Sequence, residues 1–203
     1  MNREQAKSII VLPADHAAWL KERKFGIGAS DAGAMLGLSK WKSNEALWEE
    51  KTGLRTAEDI SGKPYVQYGH DAEPHLRALF ALDHPELTVT YESPFKIIRN
   101  GDHPFIFCTP DGELTDAECR RGGLEIKTTE IMSPGQWAQW KGRIPDQYYA
   151  QVIWQMIATG SLFENTLRCL AVDGAHRGEG LMAVIVAHLV QAQLERGNNG
   201  LIK

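Results

Sequence analysis

Tyr149, Val152, Ile153, Met156 and Ile157 recur at the three- and four-residue spacing of a helix with one apolar side. Pro145 stands at the first position of that helix and Gly160 ends it. Tyr148, Gln151 and Gln155 fall at i, i+3 and i+7, so they form one polar stripe along the edge of the apolar face. Earlier helices are predicted from their caps. Asp15 caps one over residues 16–24 with Trp19 on its buried side, a second runs from Ser30 or Asp31 to about Leu36 and closes at Gly37, and a third over 44–51 ends at Gly53. Residues 54–67 are polar and predict an exposed loop. Gly69 opens a further helix to about Leu82, which places Glu73 in a first turn where the helix dipole favours an acid.

Strand patterns lie between and after these helices. Residues 1–12 read as a loose arm or edge strand, and 87–92 and 94–98 as strands. Phe105, Phe107 and Thr109 alternate with smaller residues and lead into turn chemistry at Pro110-Asp111-Gly112. Residues 123–128 form a short strand in which Glu125 and Lys127 share one face while Leu124 and Ile126 take the other. If the two strands pair, Asp111 meets Glu125 at one end of the hairpin. A strand over 166–172, a Gly-rich turn over 173–180 and a helix over 181–196 close the chain. The expected class is α/β: one domain over residues 1–203, with a central mixed sheet flanked by helices.

Composition narrows the setting. At 203 residues the chain is long enough for a full core, and its 43% hydrophobic and 24% charged fractions are ordinary for a globular protein. Three cysteines without Cys-x-x-Cys argue against a disulfide scaffold, a zinc site or an iron–sulfur cluster. No apolar run is long enough to span a bilayer and no signal-peptide pattern opens the chain, so a cytoplasmic protein without membrane contact is expected. A net charge of −4 does not advertise a nucleic-acid binder. Basic clusters nevertheless occur at Lys21/Arg23/Lys24, Lys40/Lys42, Arg120/Arg121 and Lys141/Arg143, with Trp41, Trp137 and Trp140 among them.

Asp111, Glu125 and Lys127 carry the candidate chemistry. Two hard carboxylates, the backbone carbonyl of Ile126 and one ammonium around a point suit Mg²⁺ and an attacking water that Lys127 orients or helps deprotonate. A lone Asp-Gly turn or a lone Glu-x-Lys face carries no such meaning. Together, fourteen residues apart and after Thr109-Pro110, they form a Pro-Asp…Glu-x-Lys nuclease pattern.

This stretch resembles the phage-lambda-type exonucleases and YqaJ-like viral recombinases, over about residues 19–160. The resemblance implies the restriction-endonuclease-like PD-(D/E)XK core. Trp19-x-x-x-Arg23 and Ala29-Ser30 match the family's N-terminal signature, which implies that Arg23 and Ser30 grip a DNA 5′-phosphate, with Thr109 as a third contact. Gly69-x-x-x-Glu73-Pro74 is another family mark, and adds Glu73 to the carboxylates. Asp102 stands near where the family carries a further acid. Pro145-x-x-Tyr148-x-x-Gln151-x-x-x-Gln155 implies that Gln151 is an active-site hydrogen-bonder, with Tyr148, Gln155 and Trp41 as candidates for further contacts.

The implied activity is a 5′-to-3′ exonuclease on linear duplex DNA ends that leaves 3′ single strands for recombination. It would use one or two Mg²⁺ ions, with Mn²⁺ able to substitute, as a homotrimeric ring working with a single-strand annealing protein. Three rivals stay open at this level: an endonuclease of the same superfamily, a non-catalytic DNA-end binder, and an acyl-CoA binder through the Gly178/Gly180 loop, which resembles a local acetyltransferase motif.

Overall fold

The computed structural model describes residues 8–130, 133–140, 144–160, 165–173 and 181–190. Among them, six α-helices accompany two sheets: α1 (His16–Arg23), α2 (Ala32–Met35), α3 (Asn44–Thr52), α4 (Pro64–Asp83), α5 (Pro134–Trp140) and α6 (Asp146–Ala158). The first sheet is mixed and has the order β1 (Ile9–Val11), β4 (Ile97–Arg99), β5 (Ile106–Cys108), β2 (Ile27–Gly28), with β2 parallel to β5. The second is antiparallel and has the order β3 (Thr88–Thr90), β6 (Gly112–Thr115), β7 (Arg121–Glu130), β9 (Leu181–Val190), β8 (Asn165–Asp173).

The class is α/β as expected, but the one central sheet of the sequence reading is divided in two. Only Thr109, Pro110 and Asp111 separate β5 from β6. Proline has no N–H to give a ladder, so the segment leaves one sheet at Pro110 and enters the other. Pro110-Asp111-Gly112 is therefore a crossing point and not a hairpin turn. The hairpin is β6–β7, and Asp116 closes its loop by accepting from the backbone N–H of Glu118 (3.1 Å) and Arg120 (2.8 Å).

Two further expectations are corrected. Helix α4 begins at Pro64, a residue suited to a first helical turn, so it takes in part of the expected 54–67 loop and leaves Glu73 in mid-helix. Residues 181–190 form a strand where a helix was expected. Their run contains the β-branched Val184-Ile185-Val186 and pairs with β7 and with β8, and periodicity alone does not tell such a short apolar run from a helix. The Gly-rich turn over 174–180 and the end of that expected helix lie outside the described residues.

Two apolar clusters fix the layers. Phe80 of α4 packs with Leu87, Leu114, Leu124 and Ile126, joined by Leu76 and Val89. Ala158 of α6 packs with Ala29, Ile98, Ile106 and Cys108, joined by Trp154 and Ile157. Strand β7 thus has α4 on one face and α6 on the other.

Gly26 and Gly28 allow β2 to approach β5. A Cβ on Gly26 would lie 2.1 Å from the Phe105 carbonyl oxygen, and one on Gly28 would lie 2.9 Å from the Phe107 ring. Gly26→Ala is expected to lower stability in urea denaturation by about 1–3 kcal/mol. The control Gly62→Ala, where a Cβ meets nothing within 4 Å, should stay within about 0.5 kcal/mol of wild type.

Candidate active site

The side-chain alternation of β7 builds the site. Leu124 and Ile126 enter the α4 cluster, which turns Glu125 and Lys127 toward α6. Gln151 and Gln155 lie one helical turn apart on α6 and reach the same carboxylate. Lys127 Nζ and Gln151 Nε2 donate to Glu125 Oε1, and Gln155 Nε2 donates to Oε2. Glu125 is 2% exposed and Gln155 1%.

Asp111 joins from the mouth of β6. Its Oδ2 accepts from the Ile126 N–H at 2.7 Å, and its own carbonyl accepts from Arg77 Nη1 at 2.8 Å. A strand residue points its N–H and C=O to the same neighbour, so the Ile126 carbonyl is turned toward Asp111. Glu73 on α4 stands 3.9 Å from Arg77 and from the His70 ring.

The charges do not balance. Burial raises the Asp111 pKa well above the usual carboxylate range, and Glu125 and Glu73 add to it against the pull of Lys127. Burial also raises Glu73, with His70, Arg77 and Lys127 opposing and Glu125 adding. Burial disfavours the Lys127 ammonium, but Glu125 and Asp111 outweigh it and hold its pKa above the ordinary lysine value. The Lys127 ammonium and the Arg77 guanidinium face three carboxyls, and a divalent cation would relieve the remaining excess. Among the described residues no three His, Cys, Asp or Glu side chains form a ready-made cage. Mg²⁺ does not need one, since it is usually held by one or two carboxylates and keeps several waters. Asp111, Glu125 and the Ile126 carbonyl supply the hard oxygens that suit it.

A family model for YqaJ-like viral recombinase domains matches residues 18–161. The chain belongs to this family. The match takes in the whole cluster, from Glu73 to Gln155. YqaJ of Bacillus subtilis (strain 168), itself named an uncharacterized protein, is 32% identical over 135 residues, which is 66% of this chain and 39% of that protein. The chain therefore spans well under half the length of this curated relative. No helix among the described residues is long and apolar enough to cross a membrane.

The other candidate residues of this YqaJ-like domain fall into three places. Arg23 Nη2 donates to Ser30 Oγ at 2.8 Å, and its guanidinium lies 4.5 Å over the Trp19 ring. Burial lowers the Arg23 pKa, with Asp31 opposing. Thr109 Oγ1 is buried and meets no protein partner. Tyr148 stacks on Trp140 at 5.3 Å, with Lys127 Nζ 5.8 Å from the Tyr148 ring. Trp41 is 86% exposed, on a loop tied to α5 where Lys40 Nζ donates to Gln139 Oε1 at 3.2 Å.

Two expectations change. Asp102 is exposed in the β4–β5 turn, at the opposite end of β5 from Asp111. Asn100 in that turn donates to the Ile157 carbonyl near the far end of α6, so Asp102 is not brought to the other acids. Gln155 is sealed against Glu125, so it has no surface to offer DNA.

Sequence reasoning missed Arg77 and Lys51. Arg77 is i+4 from Glu73, a spacing that signals the Glu73 contact but not the Asp111 carbonyl. Lys51 pairs with Asp31 at 2.8 Å and donates to the Arg23 carbonyl at 2.9 Å, and nothing in its local sequence marks either bond.

The raised Asp111 carboxyl fixes a direction for stability. A carboxyl that binds its proton more tightly folded than unfolded stabilises the fold below its unfolded pKa of about 3.9. That contribution is lost as pH rises through the folded value. In chelator at pH 7, Asp111→Asn is therefore expected to melt a few degrees above wild type, with the gain shrinking toward pH 4. A lower melting temperature at pH 7 would contradict the electrostatic account.

Proposed function

We propose that this domain is a Mg²⁺-dependent exonuclease that degrades one strand of linear duplex DNA from its 5′-phosphorylated end and leaves a 3′ single strand for phage-type recombination. The observation that carries this reading is the Glu125–Lys127 face set beside Asp111, with more carboxylate than ammonium to balance it. Asp111, Glu125 and the Ile126 carbonyl would hold the ion, with Glu73 in support. When bound, Mg²⁺ polarises a phosphate oxygen and lowers the pKa of water; Mn²⁺ would substitute.

The protein's own groups set the geometry of an in-line displacement at phosphorus. Lys127, paired with Glu125, orients or helps deprotonate the attacking water and offsets phosphate charge. Gln151 shares the Glu125 oxygen that Lys127 holds, which keeps the ammonium and the carboxylate in register. Arg23 and Ser30, already hydrogen-bonded to each other, present a planar fork and a hydroxyl to the terminal phosphate. Thr109 is the third candidate for that phosphate by family resemblance alone, since its Oγ1 is buried. Tyr148 and Trp41 are aromatic surfaces for the strand beyond it. A homotrimeric ring and a single-strand annealing partner complete the proposal by family resemblance.

With a 5′-phosphorylated linear duplex, Mg²⁺ should bring loss of the 5′-ended strand. Chelator should stop it, a closed circle should be spared, and a 5′-hydroxyl end should be cut more slowly. Lys127→Ala should reduce the rate by about 10²–10³-fold. Failure of Mg²⁺ to release nucleotides from the 5′-phosphorylated duplex would defeat the reading.

A further inference from the structure

Gln155 is almost wholly enclosed, yet half of its amide goes unused. Its Nε2 donates to Glu125 Oε2, while its Oε1 is buried and meets no protein donor. A buried acceptor without a partner destabilises a fold. Turning the amide over would bring its oxygen against the carboxylate, acceptor to acceptor, so Glu125 alone dictates the orientation. The side chain also borders a small cavity of about 70 Å³, lined by Cys108, Pro110, Glu113 and Thr159 among others.

The carboxylate is held unequally. Oε1 receives two donors, Lys127 and Gln151, and Oε2 receives Gln155. The terminal torsion of a glutamate is broad, so a group held at one oxygen can still turn about that contact. A donor on the second oxygen stops the rotation. We propose that Gln155 is a positioning residue: it fixes the plane of the Glu125 carboxylate and thereby selects the lone pairs that face a divalent cation. The proposal rests on the Mg²⁺ reading above, and it moves Gln155 from the DNA-facing stripe to the support of a ligand.

The test uses the full chain, with Gln155→Leu and Gln155→Met beside wild type. Mg²⁺ is titrated alone, followed by calorimetry and by the rise in melting temperature. Loss of an outer-shell partner should weaken apparent Mg²⁺ affinity about 10–100-fold. In chelator, affinity for a 5′-phosphorylated duplex should equal that of wild type, because Gln155 offers DNA no surface. A packing role would instead lower the metal-free melting temperature and leave the Mg²⁺ constant where it was, and that result would overturn the proposal. Gln155→Met, unbranched and of similar length, carries the test if Gln155→Leu does not fold. Wild type that shows no response to Mg²⁺ sinks the metal reading and this proposal with it. Wild type and variants that respond alike sink the role of Gln155 alone.

Discussion

Glu125 is a carboxyl only 2% exposed, and burial there is tolerable because its two oxygens take three donors, Lys127, Gln151 and Gln155. The layers around β7 are arranged to supply them. Lys127 comes free from the strand's own alternation, two residues on and on the same face. The two glutamines require a helix running across that face at close range. Trp154, Ile157 and Ala158 press α6 onto the first sheet, and Gly33 lets α2 come close, since a Cβ there would sit 3.1 Å from Gln147 Cβ. On the far side, Leu124 and Ile126 lock β7 to α4, so the strand cannot rotate its acid away.

The crossing at Pro110 joins the two sheets through one short extended segment. Phe107 sits on β5, with the Arg23, Lys51 and Arg99 cations 5.8, 5.6 and 5.3 Å from its ring. Asp111 sits four residues later, where the same extended segment enters the second sheet. The spacing between the Arg23–Ser30 pair and the acids is therefore carried by backbone pairing in two ladders and not by a loop. Lys51 and Asp31 brace the other end, because Asp31 Oδ2 accepts from the Gly28 N–H at 3.0 Å while pairing with Lys51.

Much of this was legible in the chain because it rests on short-range periodicity. The alternation at 124–127 and the i, i+3, i+7 stripe at Tyr148, Gln151 and Gln155 are properties of a single strand and a single helix, and both meet at Glu125 in the structure. What was not legible depends on partners far away in sequence. The division into two sheets follows from which strands find β5 and which find β6. The strand at 181–190 is an apolar run whose periodicity does not separate strand from helix, and pairing with β7 and β8 decides it. Arg77 reaches a main-chain carbonyl 34 residues on, and a backbone acceptor leaves no trace in side-chain identity. Asp102 was misplaced because an approximate match to the family's further acid does not settle which end of β5 that residue occupies.

Strand β7 draws one of its two ladders from β9, which lies beyond the stretch that matches the family. The catalytic-type face and its outer backbone support thus come from different parts of the polypeptide. A fragment trimmed to the matched stretch would keep every acid and amide of the cluster but leave a row of main-chain donors and acceptors open to solvent. Such a row recruits strands from other molecules, so trimming would trade a closed fold for intermolecular sheet growth.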